Sequence, residues 1–168
     1  AAWAPASSAG SAYIVDNYSG TAPVAAGAEA LAIGQSATAA NTDCIAIGNG
    51  AKASSTSATS SISIGKGAGA NNNKSQVSIC IGQDTLCRAD GTNKWAYNCT
   101  VIGRGAKVDS SIDDVYDSTA IGVFAKCENI QGTAVGGAAE ASAHNATAIG
   151  KSAKVSFGVY GGVAVGAG

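Results

Sequence analysis

The sequence predicts an all-β protein, a β-solenoid of about nine short coils. Three observations predict it. The tetrapeptide Leu31-Ala32-Ile33-Gly34 recurs at 45–48, 62–65, 79–82, 100–103, 119–122, 133–136, 147–150 and 163–166, and the closing glycines are 14, 17, 17, 21, 19, 14, 14 and 16 residues apart. A fixed unit with variable inserts marks a repeat architecture. Two small residues follow most closing glycines at a spacing of two, as Ala37 and Ala39 or Ala51 and Ala53 do. Aromatic residues make up only 5 % of the chain and charged residues 12 %, so little is available to fill a wide interior.

Each element follows from these. A spacing of two is strand spacing, because successive side chains point to opposite faces. Leu31 and Ile33 share one face, and Ala32 points the other way. The glycine allows a sharp corner, and the small-x-small segment is a second short strand. Nine coils at about 4.8 Å each make a rod of roughly 43 Å. The interior of each coil is read as one or two branched aliphatics and several alanines. The first strand is apolar on both faces, so both faces are buried. One meets the coil's own second strand. Identical chains around a threefold axis are the simplest cover for the other. Its trimer-core residues are Ile33, Ile47, Ile64, Ile81, Ile102, Ile121, Val135, Ile149 and Val165.

The unit Ala-Ile-Gly-x-x-Ala-x-Ala resembles the head repeat of trimeric autotransporter adhesins, the YadA-like head. The resemblance covers residues 27–168. It implies a left-handed parallel β-roll, a homotrimer, and attachment to host cell-surface or extracellular-matrix ligands from a bacterial cell surface. The repeat is also similar to segments of phage tail fibres. That leaves a virion fibre for receptor recognition as an alternative, beside a purely structural spacer.

Residues 1–26 lack the repeat and read as a lead-in and cap, with a strand near Ala12-Tyr13-Ile14-Val15 and with Trp3 and Tyr13 placed to cover the open end. Residues 27–53 form two tight coils. Inserts at 54–61, 71–77, 88–98 and 109–118 all follow the small-x-small strand, so they project from one edge of the rod. From Gly122 the coils are tight again.

Formal net charge is -1, which gives no electrostatic footprint for nucleic acid or anionic membrane. The chain has no run of 18 apolar residues and no signal-peptide pattern, so it reads as a mature part or fragment with no membrane-inserted segment of its own. No catalytic residue, metal or cofactor is expected. Gly150-Lys151-Ser152 resembles the end of a phosphate loop, but Asn145 stands where the first glycine is required. His144 has no nucleophile placed against it by a known motif. Asp109, Asp113, Asp114 and Asp117 lack calcium-loop spacing. The tight step of 14 also departs from the multiples of six found in hexapeptide acyltransferases.

A regular solenoid surface of small residues offers little to grip a partner, whereas loops on a rigid scaffold do. Two inserts carry large side chains: Arg88, Lys94, Trp95 and Tyr97 in one, Asp113, Asp114 and Tyr116 in the other. They leave neighbouring coils and should touch. These seven residues are the candidate ligand site, for a host surface protein, a matrix protein or a glycan. In the competing reading Trp95 folds back over the interface between subunits. Five cysteines are present, an odd number. Cys80 reads as a buried hydrophobe. Cys87 and Cys99 bracket the longest insert, and a bridge between them would clamp its base.

Overall fold

The computed structural model describes residues 12–14, 21–54, 59–70, 75–89, 94–110 and 114–167. Trp3 and the insert tips lie outside the described residues. Among the described residues all regular elements are strands, and every pairing is parallel. Ten strands form one sheet and nine form a second, each strand pairing with its counterpart in the next coil. The register has no slip: Leu31, Ala32 and Ile33 lie beside Ile45, Ala46 and Ile47, and this holds through to Val163–Val165. The ladder starts before the first tetrapeptide. Ala12–Ile14 pairs with Leu31–Ile33, and Val24–Ala25 with Thr38–Ala39. A coil that lacks the repeat therefore precedes the first glycine-closed one.

The two sheets close on their small residues. Ala32, Ala46, Ser63, Cys80, Val101, Ala120, Ala134 and Ala148 of the first sheet are fully buried. They face Ala39, Ala53, Cys87, Val108, Cys127 and Ala141 of the second, and these are fully buried too. The expectation of branched aliphatics inside every coil is corrected here. The sheets approach so closely that alanine, serine, cysteine and a few valines fill the space. The isoleucines of the first sheet point outward. Strand alternation requires this once the alanines between them face in.

Two corners make each coil, and both use left-handed backbone. One lies two residues before the first-sheet strand, as at Asp43, Asn98, Asp117 and Asn145, with φ between 53° and 57°. The other lies two residues after the closing glycine, as at Ser36, Asp84 and Ser152. Asn, Asp and Gly visit this region most cheaply. The closing glycine is required for a separate reason. At Gly136, where φ is 134°, an added Cβ would stand 2.5 Å from the carbonyl oxygen of Gly150 in the next coil. The glycine column lets successive backbones stack this closely. Along it Gly150 N–H donates to Val135 O at 2.8 Å, and Gly136 N–H donates to Ile121 O at 2.8 Å.

Candidate attachment surface

Three coils carry a third, short parallel sheet built by the inserts. The second-sheet strands lengthen to Leu86–Ala89 and Lys107–Ser110, and the chain returns through Ala96–Tyr97 and Val115–Tyr116, beside Ser75–Gln76. Alternation sorts the side chains again. Ala96 and Val115 are fully buried and anchor the inserts to the interior. Tyr97 and Tyr116, directly opposite in the register, point outward and stack with ring centroids 5.0 Å apart and planes 11° from parallel.

The candidate residues distribute as follows. Arg88 lies across from Asp109 and makes a two-pronged pair with it: Nε donates to Oδ1 at 3.2 Å and a terminal nitrogen donates to Oδ2 at 3.1 Å. The planar fork fits the carboxylate and fixes the base of both inserts. Asp114 accepts a hydrogen bond from the Trp95 backbone N–H at 2.8 Å, and Val115 N–H donates to Trp95 O at 2.8 Å. Lys94 and Trp95 are half-buried at the foot of the same insert. Asn98 donates to Asp117 at 3.1 Å. Asp113 lies outside the described residues. Partial burial, then Tyr116, Asp117 and Asp114, push the Tyr97 hydroxyl above its ordinary value. It therefore stays protonated and able to donate at neutral pH.

The structure adds residues that the sequence reading did not assign. The column holding Tyr97 and Tyr116 continues through Ile130 and His144 to Tyr160, with N–H groups of Gln131, Asn145 and Gly161 donating to Tyr116, Ile130 and His144. His144 and Tyr160 stack at 5.2 Å. The sequence signal was position: each of these residues stands three before a first-sheet strand. At the opposite corner the Arg104 guanidinium lies 5.1 Å from the ring centre of the exposed Phe124.

Cys87 and Cys99 are free thiols, as are Cys44, Cys80 and Cys127, and all five are buried. Cys87 donates to Ser78 Oγ at 3.5 Å, and Cys99 N–H donates to the same oxygen at 3.4 Å. A hydrogen bond from Cys99 lowers the Cys87 thiol, and the same contact, with burial, raises Cys99. The predicted bridge is thus a pair of neighbouring thiols here. Among the described residues, no group of three or more His, Cys, Asp or Glu side chains is placed to hold a metal ion.

No family profile and no curated protein matches the sequence. Among solved structures the chain is similar to the collagen-binding domain of the Yersinia adhesin YadA. The two share 20% identity with a TM-score of 0.55, over 84% of this chain and 68% of that one. At that identity the likeness speaks to fold, and on that level the chain is a parallel β-roll of the YadA head type.

Proposed function

We propose that the chain is the head of a homotrimeric attachment protein, displayed outside a bacterial cell, that binds a surface or matrix ligand through its insert sheet. One observation carries this reading. The outer face of the first sheet runs the length of the rod without a charged side chain. One column holds Leu31, Ile45, Ile62 and Ile79, then Thr100, Thr119, Thr133, Thr147 and Val163. The other holds the nine expected trimer-core aliphatics. In a single chain Ile81 is 36% exposed, Ile149 42% and Val165 74%. A contiguous apolar strip of this length marks an interaction surface. Around a threefold axis it becomes a shared core.

With that face covered, the large side chains left on the surface belong mainly to the inserts and the corners. The fold likeness to a domain described as collagen-binding supports a matrix protein as partner. The stack narrows the choice further. Tyr97 and Tyr116 turn their ring faces to each other and present edges and hydroxyls outward, whereas sugars stack on ring faces. This favours a protein ligand over a glycan. In oxidising surroundings Cys87 and Cys99 would close their bridge and clamp the insert. Trp95→Ala with Tyr97→Ala, assayed on immobilised collagen, on glycan-coated surfaces and for melting temperature, tests the site. Lost binding with an unchanged melt supports it. Intact binding with a lowered melt assigns these aromatics to packing. A virion fibre built on the same rod is the second reading, favoured by the repeat's likeness to tail-fibre segments; it uses the same face for assembly.

A further inference from the structure

This inference rests on the threefold assembly proposed above. Every first-sheet strand has a leading corner, before it, and a trailing corner, after its glycine. Three copies closed around the outer face of that sheet bring each leading corner against a trailing corner of the next copy. Rotation about an axis parallel to the rod keeps height, so each corner meets one at its own level and lies one coil, about 4.8 Å, from those above and below it.

The two corners differ in chemistry. Acids occupy the left-handed position of the leading corner at Glu29, Asp43 and Asp117, and no Lys or Arg stands at that position. Directly after the closing glycine, the trailing corner carries Lys66, Arg104 and Lys151, while Asp84 stands one residue further on in another coil. The acids and bases fall in different coils, and in the adjacent coils closed by Gly103 and Gly122 they stand one step of about 4.8 Å apart. Their leading corners hold the Tyr97–Tyr116 stack and Asp117. Their trailing corners hold Arg104 and Phe124. Among the described residues Arg104 has no carboxylate partner in its own chain, in contrast to Arg88. Phe124 is 56% exposed, and its φ is 58°, a conformation that costs a bulky residue energy. An exposed, strained phenylalanine beside an arginine that has no carboxylate partner is half of a contact.

We propose that Arg104 and Phe124 of one protomer dock against the Tyr97–Tyr116 stack and Asp117 of the next, so that the aromatic patch of the insert sheet is built from two chains. The guanidinium meets a carboxylate and aromatic rings, and the Phe124 ring is covered. A single chain carries only half of this surface, and ligand binding through it requires the assembled rod.

Sedimentation equilibrium on Arg104→Asp, Asp117→Arg and the double exchange tests the seam. Both positions are exposed; Asp117→Arg also gives up the bond from Asn98 and sets Arg at a φ of 53°, so each variant's chain melt is read in the Ile102→Asp background. Each single change should raise the concentration at which trimers dissociate by about tenfold or more, and the double exchange should restore most of that loss. A double variant as weak as the two losses combined overturns the seam while leaving the threefold reading intact. A wild-type protein that sediments as one chain overturns both. Phe124→Asn gives an independent check, because asparagine tolerates the left-handed corner. The seam predicts a weaker trimer with a chain melt, read in the Ile102→Asp background, that holds or rises. An unchanged trimer removes Phe124 from the contact.

Discussion

The coils up to Ala53 and those from Cys80 onward close the same backbone around different side chains. The first group buries Ala30, Ala32, Ala37, Ala39, Cys44, Ala46, Ala51 and Ala53 in one cluster. The second buries Cys80, Cys87, Cys99, Val101, Val108 and Val115 among its alanines and carries the third sheet. Buried serines separate them: Ser61, Ser63 and Ser78, with Ser63 Oγ donating to Lys52 O at 2.8 Å. Larger interior side chains thus coincide with the inserts. The inserts at 88–98 and 109–118 each add a strand that needs anchoring, and Ala96 and Val115 supply it by reaching inward. The alanine coils act as plain rod, and the cysteine-valine coils act as rod plus platform.

The glycine column is common to both regions, so breaking it should erase the difference between them. Gly122→Ala places a Cβ 2.4 Å from Gly136 O, and Gly48→Ala places one 2.6 Å from Gly65 O. Each should cost about 3 kcal/mol or more, read as the urea midpoint. Gly50→Ala meets nothing within 4 Å and strains only its φ of 67°, so about 1 kcal/mol is expected. Equal costs at Gly50 and Gly122 would refute close backbone stacking as the reason for the glycines.

Interior substitutions should separate the regions again, with smaller effects. Val101→Ala leaves a cavity in the second cluster and should cost about 1–3 kcal/mol. Ala46→Val overfills the first cluster and should cost a similar amount, about 1–3 kcal/mol, for the opposite reason. If Ala46→Val were stabilising, the alanine coils would have room that the close approach of their sheets denies.

The smallest expected effect is alkaline and belongs to the second region. Burial pushes the Cys127 thiol from the ordinary 9.0 up to about 12. Above the ordinary value the unfolded chain releases a proton that the folded chain keeps, so stability is complete below that value and falls as pH rises toward the folded one. Melts across this window should decline, and Cys127→Ala should flatten the decline in part. Cys80, raised chiefly by burial, Cys99, raised chiefly by its hydrogen bond with Cys87, and Tyr97, raised chiefly by burial, add to the same decline. An unchanged slope in Cys127→Ala would contradict a neutral buried thiol.

Much of the rod was legible because its signal repeats. Ile33 and its eight counterparts, the closing glycines and the small-x-small strands each recur often enough for spacing alone to define them. The left-handed corners were partly legible: Asp43, Asn98, Asp117 and Asn145 are residue types that favour such backbone, but Val77 at φ 46° and Phe124 are not. There stacking against neighbouring coils overrides local preference. The third sheet was hidden because Ala96–Tyr97 and Val115–Tyr116 are two-residue strands, too short for any period to show. The coil holding Ala12–Ile14 was hidden because it lacks the glycine. Neighbouring inserts were expected to touch, but the Tyr97–Tyr116 stack depends on a register that sequence spacing leaves open.

In the proposed trimer the uncharged outer face of the first sheet joins three chains. Sedimentation equilibrium of the wild type beside Ile102→Asp tests it most directly. The expected result is a wild-type mass three times the 16.2 kDa of the chain, and dissociation by Ile102→Asp, which sets a charge in the middle of that face. A wild-type protein that sediments at 16.2 kDa at micromolar concentration and melts cooperatively, or an Ile102→Asp variant that stays fully trimeric, would contradict it.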